Sequence, residues 1–95
     1  MANIQTSVYH TNFINLIFDS MHEVKKRYAK KLEAFGKNVK KAREAKGLTQ
    51  EDLAYNAGIS FTTVNNLENG HLNPTLATLY AIAESLKMPL KEIVE

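Results

Sequence analysis

The stretch "TQEDLAYNAGISFTTVNNLENG", residues 49 to 70, constrains this chain more than any other. Two short helical patterns are joined here by a turn built on Gly58, and small residues fall where the two helices would cross. Ala54 has to be small because the second helix axis passes close over it. Gly58 suits a left-handed backbone in which a Cβ would clash. Leu53, Ile59, Val64 and Leu67 are apolar pegs between the helices. A generic pair of amphipathic helices has no need of Ala, Gly, Ile and Val at these offsets together, and the combination specifies a helix-turn-helix.

The flanks are helical too. Thr49 starts the first helix of the pair, where Asp52 three residues on can reach back to the Thr49 amide as a weaker form of the capping box, and Ser60 caps the second, Phe61 to Glu68, which stops at Asn69-Gly70. Thr75 caps a later helix carrying Leu76, Leu79, Ile82, Ala83 and Leu86, and Pro89 opens a last short turn. Upstream, a helix from about Lys37 to Ala45 ends at Gly47, with Gly36 marking a break before it. From about Thr11, Ile14, Met21, Tyr28 and Phe35 fall seven apart, with Ile17, Val24, Phe18 and Leu32 alongside, an apolar stripe of period close to 3.5. Residues 1–10 have no usable periodicity and are expected to fray. The expectation is an all-α chain: a frayed 1–10, an extra amphipathic helix at 11–35, and a five-helix unit at 36–95.

Charge is distributed unevenly. Residues 25 to 46 carry ten cationic side chains against Glu33 and Glu44 alone, whereas residues 49 to 95 hold Lys87 and Lys91 against six acids. That asymmetry fits a polyanion at one face, although a solvated helix face gives the same pattern. Without cysteine there is no disulfide framework and no thiolate metal site, which fits the reducing cytoplasm. "FINLIF" is broken by Asp19, no run approaches a membrane span, and the N-terminus lacks a signal-peptide pattern. His10, His22 and His71 are isolated, no nucleophile motif or phosphate loop occurs, and Glu51-Asp52 sits where a helix macrodipole explains it. Neither enzyme activity, nor a metal, nor a cofactor is expected.

Residues 35 to 94, with "REAKGLTQEDLA", "NLENG", "NPTLATLYAIAESL" and "MPLKEI" in order, resemble the Xre/Cro-type DNA-binding domain of phage and bacterial repressors. The resemblance covers about two thirds of the chain and implies a lambda-repressor-like five-helix fold. It also implies sequence-specific binding to double-stranded DNA, as a homodimer on a near-palindromic operator with half-sites about one helical turn (~34 Å) apart. By the same resemblance Phe61, Thr62, Asn65 and Asn66 are the exposed, base-reading positions of the recognition helix. Gln50, Thr63, Asn69 and His71 lie nearer phosphate, with the amides of residues 69–71 approaching it, and Arg43 pairs with Glu68 to orient that helix. Asn38 stands where a phosphate-contacting Arg is common, and Ala42 replaces a usual Leu.

The chemistry of these side chains is compatible with those roles. An Asn amide can pair with the N6 and N7 edge of adenine, Thr offers a hydroxyl and a methyl, and Phe61 has only apolar contact with thymine methyls to offer. The helix 61–68 contains no Lys or Arg, so phosphate binding falls to Lys37, Lys40 and Lys41 in the basic block. For the stripe carrying Ile14, Ile17, Met21, Val24 and Tyr28 three roles remain open: dimerisation, packing back near Ala42, or a basic arm ordered by DNA. The reading is a transcriptional regulator, a repressor more than an activator; the alternative is an antitoxin or other module that docks a protein partner such as a toxin.

Overall fold

The computed structural model describes residues 23–94. Five α-helices lie wholly within the described residues, spanning Ala29–Ala45 (α1), Gln50–Ala57 (α2), Phe61–Glu68 (α3), Leu76–Ser85 (α4) and Leu90–Val94 (α5). Among the described residues all regular structure is helical, and none of these helices is long and apolar enough to cross a membrane.

The starts of the middle helices are set by local side chains. Thr49 accepts the Asp52 N–H while the Asp52 carboxylate accepts the Thr49 N–H, a complete capping box. Ser60 accepts the Thr63 N–H and Thr75 accepts the Thr78 N–H. Between α2 and α3 the chain reverses at Gly58, whose φ of 69° belongs to the left-handed region. α2 packs on α3 and on α4, α1 crosses α3, and α5 closes the bundle against α1 and α4. Leu53, Val64, Leu67, Ile82, Leu86 and Ile93 meet Phe35 and Val39 in one core. Full burial of side chains this size stabilises by about 1.5–3 kcal/mol each.

The expected break at Gly36 does not occur. α1 runs unbroken from Ala29 to Ala45, with Gly36 buried inside it. The glycine is there for space. A Cβ at this position would lie 2.7 Å from the Glu68 carbonyl oxygen and closer still to that of Leu67. The missing side chain lets α1 cross the end of α3 backbone to backbone, at a helix-propensity cost of about 1 kcal/mol relative to Ala.

Upstream of α1, residues 23–27 are also helical and run into it through Tyr28, whose own N–H donates to Val24 and whose carbonyl accepts from Leu32. The apolar stripe climbs out of the core along this stretch. Phe35 is buried, Leu32 is half-buried, and Tyr28 and Val24 are 45% and 48% exposed. Ile14, Ile17 and Met21 lie outside the described residues.

Candidate nucleic-acid interface

α3 presents an outer face without charge. Phe61 opens it at 45% exposure, Thr62 is exposed, and Asn65 and Asn66 are half-buried along the flank. Between described residues, the side-chain hydrogen bonds of this face fall on Thr63, Asn65 and Asn69 and not on Thr62 or Asn66. Thr63 is half-buried and shares its hydroxyl with Ser60 at 2.8 Å, which makes it part of the cap of α3.

Behind this face sits a buried ion pair. Arg43 of α1 closes Nε and Nη2 onto the two carboxylate oxygens of Glu68 at 2.7 and 3.0 Å, a bidentate fork. Its Nη1 donates to the Leu48 carbonyl at 2.7 Å and so fixes the α1–α2 connection as well. The hydrogen bond and charge of Glu68 raise the guanidinium's affinity for its proton above its ordinary value, against desolvation. One side chain thereby joins α1, the connection to α2 and the end of α3.

Gln50, at the start of α2, is tied into the same pair, donating to Glu68 Oε1 at 3.0 Å. Asn65 is turned towards α2 and donates to Gln50 Oε1 at 3.2 Å, while Asn69 donates to Asn65 Oδ1 at 3.2 Å. The sequence carried no signal for this linkage: on a helical projection Asn65 is simply another polar outer position.

The loop after α3 differs from the expectation in one respect. The N–H groups of Asn69, Gly70 and His71 donate to the carbonyls of Asn65, Leu67 and Asn66. They satisfy the orphan carbonyls at the end of α3 and are not free for phosphate. The side chains of Asn69 and His71 remain exposed.

The cations lie on α1. Lys37, Lys40 and Lys41 are exposed, and Lys37 shares Glu33 at 3.4 Å across one helical turn. Further upstream, Lys25 Nζ reaches the His71 carbonyl at 3.4 Å, which sets the start of the helical stretch beside the loop that follows α3. Asn38 donates to the Ile93 carbonyl at 2.9 Å. Ala42 lines an open groove of about 590 Å³ with Asn38, Lys41, Ala45, Lys46, Met88 and Glu92. No cluster among the described residues has the donor set to hold a metal ion.

Residues 39–93 match the helix-turn-helix family HTH_3, more than half of the chain. The chain belongs to that family. This HTH_3 protein is 41% identical over 59 residues to an uncharacterised HTH-type transcriptional regulator, y4dJ of Sinorhizobium fredii, spanning 62% of this chain and 77% of the relative. Its backbone is similar to the crystal structure of the restriction-modification controller protein C.AhdI from Aeromonas hydrophila, with a TM-score of 0.64, 34% identity, and coverage of 65% of this chain and 94% of that one. Over 52 residues it is 38% identical to the antitoxin HipB of Escherichia coli, covering 55% of this chain and 59% of the antitoxin.

Proposed function

We propose that this HTH_3 protein is a transcriptional regulator that binds double-stranded DNA sequence-specifically, as a homodimer on a near-palindromic operator, and represses from there. The observation that carries the reading is the uncharged outer face of α3, held by the buried Arg43–Glu68 pair, with the exposed lysines on the neighbouring α1. Bases are read by shape and neutral hydrogen bonds, and phosphates are bound by cations; here the two tasks fall on different helices. Phe61, Thr62 and Asn66 are the readers in this assignment. Lys37, Lys40 and Lys41 supply the backbone attraction, with Thr63, Asn69 and His71 at the phosphate margin. The outward-facing Val24 and Tyr28 fit a dimer contact, to which the sequence stripe adds Ile14, Ile17 and Met21 as further candidates.

Selection from a randomised duplex pool with the full chain tests this. The expected result is one enriched motif with two inverted half-sites about one helical turn (~34 Å) apart. No enrichment would refute it, and a single half-site would refute the dimer.

The second reading is an antitoxin that works chiefly by docking a protein partner. It draws on the similarity to HipB and on apolar side chains open to solvent, Tyr55 on α2 with Leu76 and Tyr80 on α4. Binding to the selected duplex that survives physiological salt favours the regulator. A stoichiometric partner that co-purifies, with only salt-labile DNA binding, favours the antitoxin.

A further inference from the structure

Five cations lie upstream of the family match: Lys25, Lys26, Arg27, Lys30 and Lys31 stand between Glu23 and Glu33, the two acids of that stretch. All five are exposed. The stretch is helical, and the bonds from the Tyr28 N–H to Val24 and from the Leu32 N–H to Tyr28 keep the helical ladder intact at the junction with α1. One helical phase therefore holds from Val24 to Ala45. In that phase Lys26 and Lys30 share a flank with Glu33, Lys37 and Lys41, and Arg27 and Lys31 are turned about 100° further round.

Two contacts fix what this part of the helix lies against. Gly70, in the loop after α3, passes so close that a Cβ on it would meet the Glu33 Cα at 3.0 Å and the Glu33 Cβ at 3.3 Å. About two turns earlier on the helix, Lys25 Nζ donates to the His71 carbonyl at 3.4 Å. Both contacts hold the upstream helix against the loop that closes the recognition helix, and the helical projection puts Lys26 and Lys30 on the Glu33 side of it. Like charges one turn apart destabilise a helix, and Lys26 with Lys30 is such a pair. Between described residues, the ion pairs of this helix fall on Lys37 and Arg43 and not on Lys26 or Lys30. A partner with closely spaced negative charge relieves that repulsion, and a DNA strand carries one charge about every 3.4 Å.

We propose that the helical stretch upstream of the matched domain is a second phosphate-binding element, which lays Lys26 and Lys30 on the DNA backbone outside the bases under α3. Lys25 serves as its strap to the loop. The row from Lys26 to Lys41 extends about 22 Å, against about 12 Å for the eight residues of α3, so it reaches beyond the segment that α3 can read. The proposal rests on the DNA-binding reading and adds to it a contact that carries no sequence information.

The test measures the salt dependence of binding by the full chain on two duplexes. One ends at the selected motif, and the other carries about one further helical turn (~10 bp) of arbitrary sequence on each side. Wild type should show the steeper slope of log K against log salt on the longer duplex. Lys26→Ala/Lys30→Ala should lose that increment, at about 0.9 for each phosphate no longer neutralised, and keep the selected motif. Arg27→Ala/Lys31→Ala removes the same charge from the same helix and should retain the increment. Circular dichroism checks the fold of both, and alanine is the best helix former. An increment absent from the wild type would overturn the proposal. So would an equal reduction in both variants, since it would belong to overall charge and not to a docked flank. A changed motif in Lys26→Ala/Lys30→Ala would place these lysines on bases and overturn it too. If the wild type selects no motif, the regulator reading fails, and the slopes of the two variants on a mixed-sequence duplex still decide whether Lys26 and Lys30 bind phosphate.

Discussion

Asn38 and Ile93, 55 positions apart, are joined by a 2.9 Å hydrogen bond from the Asn38 amide to the Ile93 carbonyl. The bond satisfies a carbonyl near the end of α5 and fastens the last helix to α1. The position faces α5, which explains why an amide suits it where a phosphate-contacting Arg is common. Asn38→Ala should cost about 1 kcal/mol in urea denaturation, since a part-buried acceptor loses its partner, and should leave DNA affinity unchanged. A variant that keeps its stability but loses affinity would place Asn38 in the interface instead.

Gly36 gives a prediction in which two effects oppose each other. Gly36→Ala gains about 1 kcal/mol in helix propensity, but the new methyl meets two backbone carbonyls of α3 that cannot move aside as a side chain would. Overpacking of this kind costs about 1–3 kcal/mol, so the net sign is destabilising. Because the displaced backbone belongs to the end of α3, operator affinity should fall as well. A thermal melt shows the first effect, with several degrees expected per kcal/mol in a domain this small, and a titration with the selected duplex shows the second. A raised melting temperature would mean that α1 and α3 separate more easily than their packing implies.

Gly36 also marks where the sequence was legible. The caps at Thr49, Ser60 and Thr75 could be read from it because each bonds an N–H three residues on, and the signal lies within one turn. The apolar pegs Leu53, Val64 and Leu67 were legible for a similar reason: their periodicity is local even though their partners are not. Glycine, by contrast, breaks a helix or permits a close approach. Only the position of Leu67 and Glu68 across the crossing decides which. Asn65 posed the same difficulty. Its place on the helix put it on the outer flank, but the direction of its amide depends on Glu68, Gln50 and Asn69 together.

The capping box at the start of α2 makes stability depend on pH. The Asp52 carboxyl is held below the usual carboxylate range by the Thr49 N–H and, secondly, by the Thr49 hydroxyl. A depressed native value means that folding favours the ionised form. The contribution is complete above the unfolded carboxylate value of about 3.9 and disappears as pH falls through the lower native one. The difference in urea midpoint between wild type and Asp52→Ala should thus be constant from pH 7 to about 5 and shrink towards zero in more acidic solution. A difference that grows on acidification would reverse the assignment.

Lys40 and Lys41 are exposed on α1 and carry the clearest electrostatic expectation. Changing both to Ala should lower the magnitude of the salt slope by up to about 1.8, at about 0.9 for each phosphate no longer neutralised. Selected and scrambled duplexes should lose affinity in equal proportion, because phosphate contacts carry no sequence information. A change in the selected motif would show that these lysines reach base edges.

Phe61 separates apolar reading from packing. It opens α3, and nearly half its surface is exposed. With no hydrogen bond to offer, it can contribute to recognition only by contact with apolar groups, of which the thymine methyl is the one in the major groove. Phe61→Ala should lower affinity for the selected site and flatten the motif at one A·T position in each half-site, leaving the others as they were. Replacing that thymine by uracil, which removes only the methyl, should weaken wild-type binding and leave Phe61→Ala unaffected. If uracil weakens both proteins equally, the methyl is read by another side chain, and Phe61 owes its exposure to something other than DNA.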